Sequence, residues 1–197
     1  LSVSGTSNIG ANVTTSGAQT YAGAVTLSGG DRTLTGSIIN TQSTLAGGSN
    51  ALTITGAAEI DGAFTGLTSL SVSGTTNIGA NVTTSGTQTY AGEVTLSGSD
   101  RTLTGSTVNT QSTLAGGNNA LTITGAADID GAYTGLTTLS ISGASNIGAN
   151  VTSSGAQTYA GAMTLSGGDR TLTGSTINTQ NTLAGGSNAL IITGAAD

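Results

Sequence analysis

The paired carboxylates are the residues of this chain whose type and spacing could do chemistry. Glu59 and Asp61 flank Ile60, and Asp128 and Asp130 flank Ile129 in the same way. Neighbouring residues of an extended strand point to opposite sides, so an inward isoleucine places both carboxylates of a pair on one outer surface. Such a pair could contribute to a Ca²⁺ site, or act as acid and base in glycosidic bond hydrolysis.

The pattern around these pairs favours a solvated surface over either chemistry. Ca²⁺ takes about six to eight oxygen ligands, and each pair supplies two carboxylates. The copies are expected roughly 14 Å apart, beyond the screening length of about 8 Å, so they do not reinforce each other. Hydrolysis needs a cleft with two differently tuned acids, whereas the same pair recurs along the chain. Glu59, Asp61, Asp128 and Asp130 are kept as candidate metal ligands only.

The composition argues against most other site chemistry. The chain has no His, Cys or Lys, so bases and nucleophiles are reduced to carboxylates, hydroxyls and tyrosines without a visible activating partner. We therefore predict no enzyme activity and no cofactor. The net charge is −6 and only Arg32, Arg101 and Arg170 are positive, which excludes a basic stripe for nucleic acid. No apolar run approaches the roughly 20 residues that span a bilayer, so membrane insertion is not expected.

Hydroxyl and tyrosine side chains offer a binding surface as the alternative. If the strands stack on one flat face, their outward residues form a ladder of hydroxyls, which could bind ice or glycans. The threonines taken as its possible ligand face are Thr26, Thr53, Thr55, Thr95, Thr122 and Thr124. Tyr21, Tyr90 and Tyr159 could stack on sugars, but we expect each to cover a corner of the core with its hydroxyl in water.

These residues belong to a chain that repeats itself: Leu-Ser-Val-Ser-Gly at Leu1 returns at Leu70, and as Leu-Ser-Ile-Ser-Gly at Leu139. The units 1–69 and 70–138 differ at only ten positions, and a third, incomplete copy covers 139–197. A period this well kept indicates an array in which each unit packs on the next, so all copies are expected to form one continuous solenoid.

Strand patterns predict the fold of one unit. Alternating apolar and polar residues mark strands at Leu1–Ser4, Val25–Ser28 and Leu52–Thr55, and no segment has a helical period. The equivalent core positions Val3, Val25, Ile54 and Val72 are separated by about 23 positions on average, which suits one turn of a solenoid. We predict an all-β, right-handed parallel β-helix of about nine turns, with three turns per unit.

Differences between copies predict which side chains enter the core. Position 38 changes from Ile to Thr107 and Thr176, whereas Ile39 stays aliphatic in the other copies, so position 39 is predicted inside and 38 outside. Val25 becomes Val94 and Met163, which suits a core, while its neighbour Ala24 becomes Glu93 and is predicted outside. Phe64 becomes Tyr133, which places that position at a rim.

The unit resembles the stalk repeats of filamentous-haemagglutinin-like bacterial adhesins exported by two-partner secretion. The stretches that carry the resemblance are Ser16–Leu27, Thr33–Gly36 and Ala51–Gly56, and it covers all three copies. It implies a right-handed β-helix on the bacterial surface, acting as a spacer or filament. The secretion domain of that family carries Asn-Pro motifs, and this chain has no proline. A secretion domain is therefore expected to lie outside it.

The function predicted from these features is a stiff extracellular rod. Exposed strand edges and aliphatic core at both ends predict axial stacking with further copies of the repeat. Other filaments or cell-surface glycans are the further candidate partners.

Overall fold

A computed structural model describes residues 1–197 and contains strands but no helix. All strands belong to one sheet, and every pairing between them is parallel. The strands are β1 Ser2–Val3, β2 Ser7–Ile9, β3 Val13–Thr14, β4 Gln19–Tyr21, β5 Val25–Leu27, β6 Arg32–Thr41, β7 Leu45–Ile60, β8 Phe64–Val72, β9 Thr76–Ile78, β10 Val82–Thr84, β11 Gln88–Tyr90, β12 Val94–Leu96, β13 Arg101–Thr110, β14 Leu114–Ile129, β15 Tyr133–Ile141, β16 Ser145–Ile147, β17 Val151–Ser153, β18 Gln157–Tyr159, β19 Met163–Leu165, β20 Arg170–Thr179, β21 Leu183–Ala184 and β22 Leu190–Ala196.

The strand register shows a parallel β-solenoid of about ten turns. One series of paired residues leads from Gln19 to Ile192, and each step of the series advances by one turn. The residues between them are Ile39, Ala58, Thr76, Val94, Leu114, Tyr133, Val151 and Leu172. One further turn, from Val3 to Tyr21, precedes this series. The turns are thus nearly equal in length, and each is shorter than the average spacing used to predict the turn.

Each turn crosses three faces, which we call A, B and C in chain order. In the first turn, face A holds β1, face B holds β2 and face C holds β3. The register assigns every later strand to one of these faces: β4 pairs with β1 on face A, β5 with β2 on face B, and β6 begins on face C beside β3. The long strands run around the corners from one face to the next.

The predicted parallel β-helix is confirmed, but its turn length and turn count are corrected. The steps between the predicted strands do not each equal one turn, because Val3 lies on face A, Val25 on face B and Ile54 on face C. The first two steps are each one turn plus one face, and the step from Ile54 to Val72 is one whole turn. A unit therefore spans eleven faces, or three and two-thirds turns. The right-handed sense stays a prediction.

The core is a column of aliphatic side chains inside the three faces. The orientation predicted from the copies is confirmed: Ile39 is 1% exposed and Ile38 is 38% exposed. Val25, Val94 and Met163 are buried, and Glu93 is exposed. Interior turns are covered on both sides, whereas the inward-pointing residues Leu1 and Leu183, in the outermost turns, are 53% and 42% exposed. Ile191 is exposed for another reason, because it points outward between the inward positions of Leu190 and Ile192.

Certain glycines allow the turns to approach closely at the corners. Gly125 has φ 129°, and a Cβ at this position would collide with the carbonyl oxygen of Gly105 in the preceding turn. Gly56 and Gly194 repeat this geometry in the other units. Both the backbone conformation and the lack of space require glycine here.

We expect Gly125→Ala to destabilise the solenoid. The substitution adds backbone strain and a clash with a carbonyl group that cannot rotate away, a cost on the order of 2 kcal/mol or more. Hydrogen exchange should show faster opening of the turns that contain Gly105 and Gly125. Gly17→Ala is the control, because no atom lies within 4 Å of its added Cβ. Equal effects of the two substitutions would contradict the close-approach explanation.

Candidate functional site

The Asp128 carboxylate lies in a ladder of side chains that crosses three turns of face C. Asn109, Asp128 and Asn146 occupy the same outward position in successive turns. Asn109 Nδ2 donates to Asp128 Oδ2 at 2.8 Å, and Asn146 Nδ2 donates to Asp128 Oδ1 at 2.8 Å. Each carboxylate oxygen therefore accepts a hydrogen bond from a neighbouring turn.

The first hydrogen bond of this ladder, from asparagine to carboxylate, is repeated in the other two units. Asn40 Nδ2 donates to Glu59 Oε2 at 2.6 Å, and Asn178 Nδ2 donates to Asp197 Oδ2 at 3.3 Å. Glu59 lies on face A, whereas Asp128 lies on face C, because the unit does not contain a whole number of turns. The carboxylates of successive units therefore point in different directions.

The second carboxylate of each pair is exposed. Asp61 and Asp130 lie just beyond buried Ile60 and Ile129, which confirms that the two carboxylates of a pair share the outer surface. Partial desolvation and the nearby Asp128 carboxylate raise the pKa of Asp130 above its usual range. No group of three or more His, Cys, Asp or Glu side chains is close enough to hold a metal ion. What the structure shows for Glu59 and Asp128 is the binding of asparagine amides.

Open depressions lie beside Glu59 and beside Asp128, at equivalent places of the first two units. One of about 190 Å³ is lined by Glu59, Glu93 and small residues such as Ala57, and one of about 340 Å³ by Asp128, Ala126 and Ala162. The buried hydroxyls next to them, on Thr76 and Ser145, have no hydrogen-bond partner. These two residues occupy inward positions of their strands, beside Ala58 and Ala127 in the register, so they belong to the core side of the sheet.

The predicted hydroxyl ladder does not lie on one flat face. Thr95 is on face A, Thr26, Thr122 and Thr124 are on face B, and Thr53 and Thr55 are on face C. Short ladders exist within a face: Thr53 pairs with Thr33 and Ser71 in the turns on either side. The single face was wrong for two reasons: the three alternating strands of one unit lie on three different faces, and equivalent strands of successive units also lie on different faces.

The tyrosines predicted to cover corners are buried, and they form part of a polar network in the core. The hydroxyl of Tyr90 donates to Gln88 Oε1 at 2.9 Å, and both residues are 0% exposed. Gln88 Nε2 donates to the carbonyl of Thr104 at 2.7 Å, which lies in the next turn, and to that of Val82 at 3.2 Å. The network thus links a corner of one turn to the following turn.

This network recurs around Tyr21 and Tyr159, so the prediction of water-exposed hydroxyls is corrected. Their hydroxyls donate to Gln19 and Gln157, each at 2.8 Å. The phenols avoid water because the glutamine two residues earlier lies on the same side of the strand and supplies an acceptor. Sequence reasoning missed these buried glutamines. The signal was the recurrence of Gln-Thr-Tyr in all three units.

The rim predicted for Phe64 and Tyr133 is also corrected, because both side chains are fully buried. The hydroxyl of Tyr133 is 2.8 Å from Thr110 Oγ1. At the equivalent place in the first unit, Thr41 Oγ1 instead donates to the carbonyl of Glu59 at 3.3 Å, which leaves Phe64 without a polar requirement. The buried threonine therefore explains how Phe and Tyr can both occupy this position.

Asp and Arg side chains at one corner bind backbone groups. Asp31 Oδ1 accepts the amide hydrogen of Ala51 in the next turn at 2.8 Å. Arg32 Nε donates to the carbonyl of Ile9 at 3.3 Å, and its Nη2 donates to the carbonyl of Ser28. Backbone groups of three turns are thereby satisfied at this corner.

Comparison with known proteins adds no relative: no family model, no curated protein and no solved structure matches the chain. The structure contains no helix long and apolar enough to cross a membrane.

We expect Asp128→Ala to lower the free energy of unfolding by about 1 kcal/mol, because two asparagine amides lose their acceptor. Asp130→Ala is the matched control: it removes the same charge from an exposed position and relieves repulsion with Asp128. It should leave stability within about 0.5 kcal/mol of the parent chain. Denaturant unfolding of the three proteins checks this. A larger loss in the control would contradict the structural role given to the ladder.

We expect the solenoid to lose stability as the pH rises above about 10. Burial is the main cause that raises the pKa of Tyr90, Tyr133 and Tyr159 above the ordinary value of 10.0. The folded chain keeps these phenols protonated while the unfolded chain releases their protons, so each contributes a loss of up to about 1.4 kcal/mol per pH unit. Stability below pH 10 is unaffected by this linkage. Phenolate absorbance should appear together with unfolding.

Tyr133→Phe is the control for this titration, since Phe64 already fits the equivalent position. The variant should show a shallower loss of stability with pH. Phenolate formation near pH 10 in a chain that stays folded would contradict the buried network.

Proposed function

We propose that this chain is a structural segment of an extracellular bacterial filament or adhesin stalk, whose role is to provide length and stiffness. The observation that carries the proposal is the strand pairing: it continues from turn to turn from Ser2 to Ala196, with local bulges where strands round a corner. About ten level spacings of ~4.8 Å give a rod roughly 48 Å long. The stacking is the same in every unit, so further units would lengthen the rod without a new kind of contact.

The use of polar side chains supports a structural role. The asparagine–carboxylate ladder, the Gln-Tyr network and the Asp-Arg corner each connect one turn to the next. Glu59, Asp128 and Asp31 are thus engaged in holding neighbouring turns together, whereas Asp61 and Asp130 are exposed to solvent. The resemblance of the repeats to adhesin stalks, and the absence of cysteine, are compatible with a bacterial surface protein.

The alternative, binding of ice or glycans by the hydroxyl residues, is less well supported. Binding of an ice surface or of an extended glycan needs one continuous protein surface, whereas the candidate threonines lie on three faces. The nearby depressions are open to solvent, whereas ligand pockets enclose most of the surface of the molecule that they bind.

We expect the isolated chain of residues 1–197 to associate axially with further copies. Its outermost levels present aliphatic side chains and unpaired strand edges, which a second copy can cover with the same contacts as an interior level. Sedimentation should show association that rises with concentration, and electron micrographs should show fibres no wider than one rod. A variant with an added capping turn should be monomeric. A stable uncapped monomer with slowly exchanging amides in its terminal turns would contradict axial stacking.

A further inference from the structure

The unit of sequence and the turn of the solenoid do not coincide. Val3 on face A reaches Ile60 after three turns, through Tyr21 and Thr41, and Ile60 is still on face A. Val72, the equivalent of Val3 in the second unit, lies two faces further on, on face C. Ile141, the equivalent residue of the third unit, lies on face B.

The strand pairings between turns are nevertheless equivalent from unit to unit. Asn40 stacks on Glu59 as Asn109 stacks on Asp128, and both pairs are joined by an amide-to-carboxylate hydrogen bond. Tyr21 stacks on Thr41 as Tyr90 stacks on Thr110. Strand partners are residues that lie one turn apart along the chain. When a whole unit is removed or added, equivalent residues are still one turn apart, so the same pairs can form.

We propose that the number of units between two points of the rod sets the direction in which the second point faces. Each unit advances everything beyond it by two faces in chain order, which is equivalent to one third of a turn in the opposite direction, and three units restore the original direction. Removing or adding a unit costs no pairing, so rods of different length differ in angle as well as reach. This inference rests on the register and is independent of the proposed function.

The rotation also determines how a partner meets the rod. Any feature of the unit, such as the asparagine–carboxylate ladder, is shown on faces A, C and B in turn. Successive copies are offset along the axis by about 18 Å, which is three and two-thirds level spacings. A partner that recognises the unit is therefore presented with it in three directions around the rod.

Deletion of residues 70–138 from the chain tests the proposal. In the intact chain, Thr20 and Thr152 both lie on face A, and Thr26 lies on face B. After the deletion, Thr152 takes the register that Thr83 has in the intact chain, which is on face B. The chain has no cysteine, so pairs of cysteines at Thr20 and Thr152, or at Thr26 and Thr152, can be spin-labelled specifically.

In the deletion chain we expect the Thr26–Thr152 distance to be the shorter, near ~14 Å for three levels on one face, and the Thr20–Thr152 distance to be longer. The intact chain labelled at Thr20 and Thr152 is the control and should give roughly 34 Å for seven levels. The reverse order of distances in the deletion chain would overturn the proposal. Loss of the β-sheet circular dichroism spectrum on deletion would also overturn it, because interchangeable units must stack without a pairing defect.

Discussion

The structure depends on the parallel backbone ladder between successive turns. Strand pairing joins each residue to a partner one turn away along the chain, as Gln19 is joined to Ile39 and Val151 to Leu172, so a residue's neighbours are set by chain separation. This constraint explains why glycine is required where carbonyl groups of adjacent turns meet, as at Gly125. It also explains why core side chains must fit those above and below: an inward residue has no other place to pack.

The backbone ladder continues through the chain even though the 69-residue sequence repeat is not a whole number of solenoid turns. Eleven faces make one unit, and a new unit therefore begins on a face other than the one before. This is possible only because the three faces are similar enough to hold the same strand. The equivalent residues Val3, Val72 and Ile141, for example, lie on faces A, C and B. A solenoid with one distinctive face could not accept such a shift, because the strands specific to that face would be placed elsewhere in the next unit.

The alternation of apolar and polar residues predicted the β-solenoid and the inward side of several strands, but it could not predict the length of a turn or the number of turns. Three strong strands per unit suggested three turns, whereas Val3, Val25 and Ile54 each lie on a different face. The other strands of a turn are short or carry inward polar residues, such as Gln19, and lack clear alternation. For the candidate site, the carboxylates were correctly placed outside, but their asparagine partners lie one turn away along the chain and required the register.

Polar residues in the core give the stack a defined register as well as stability. An aliphatic column could slide by one pair of residues and still bury similar area, since Val, Ile and Leu replace one another with little loss. Gln88 cannot slide, because its amide needs the carbonyls of Val82 and Thr104 and its oxygen needs Tyr90. A shift would leave these buried groups without partners, at about 1–3 kcal/mol for each. Because the network recurs in every unit, an error of register is penalised within the unit where it arises and does not propagate along the rod.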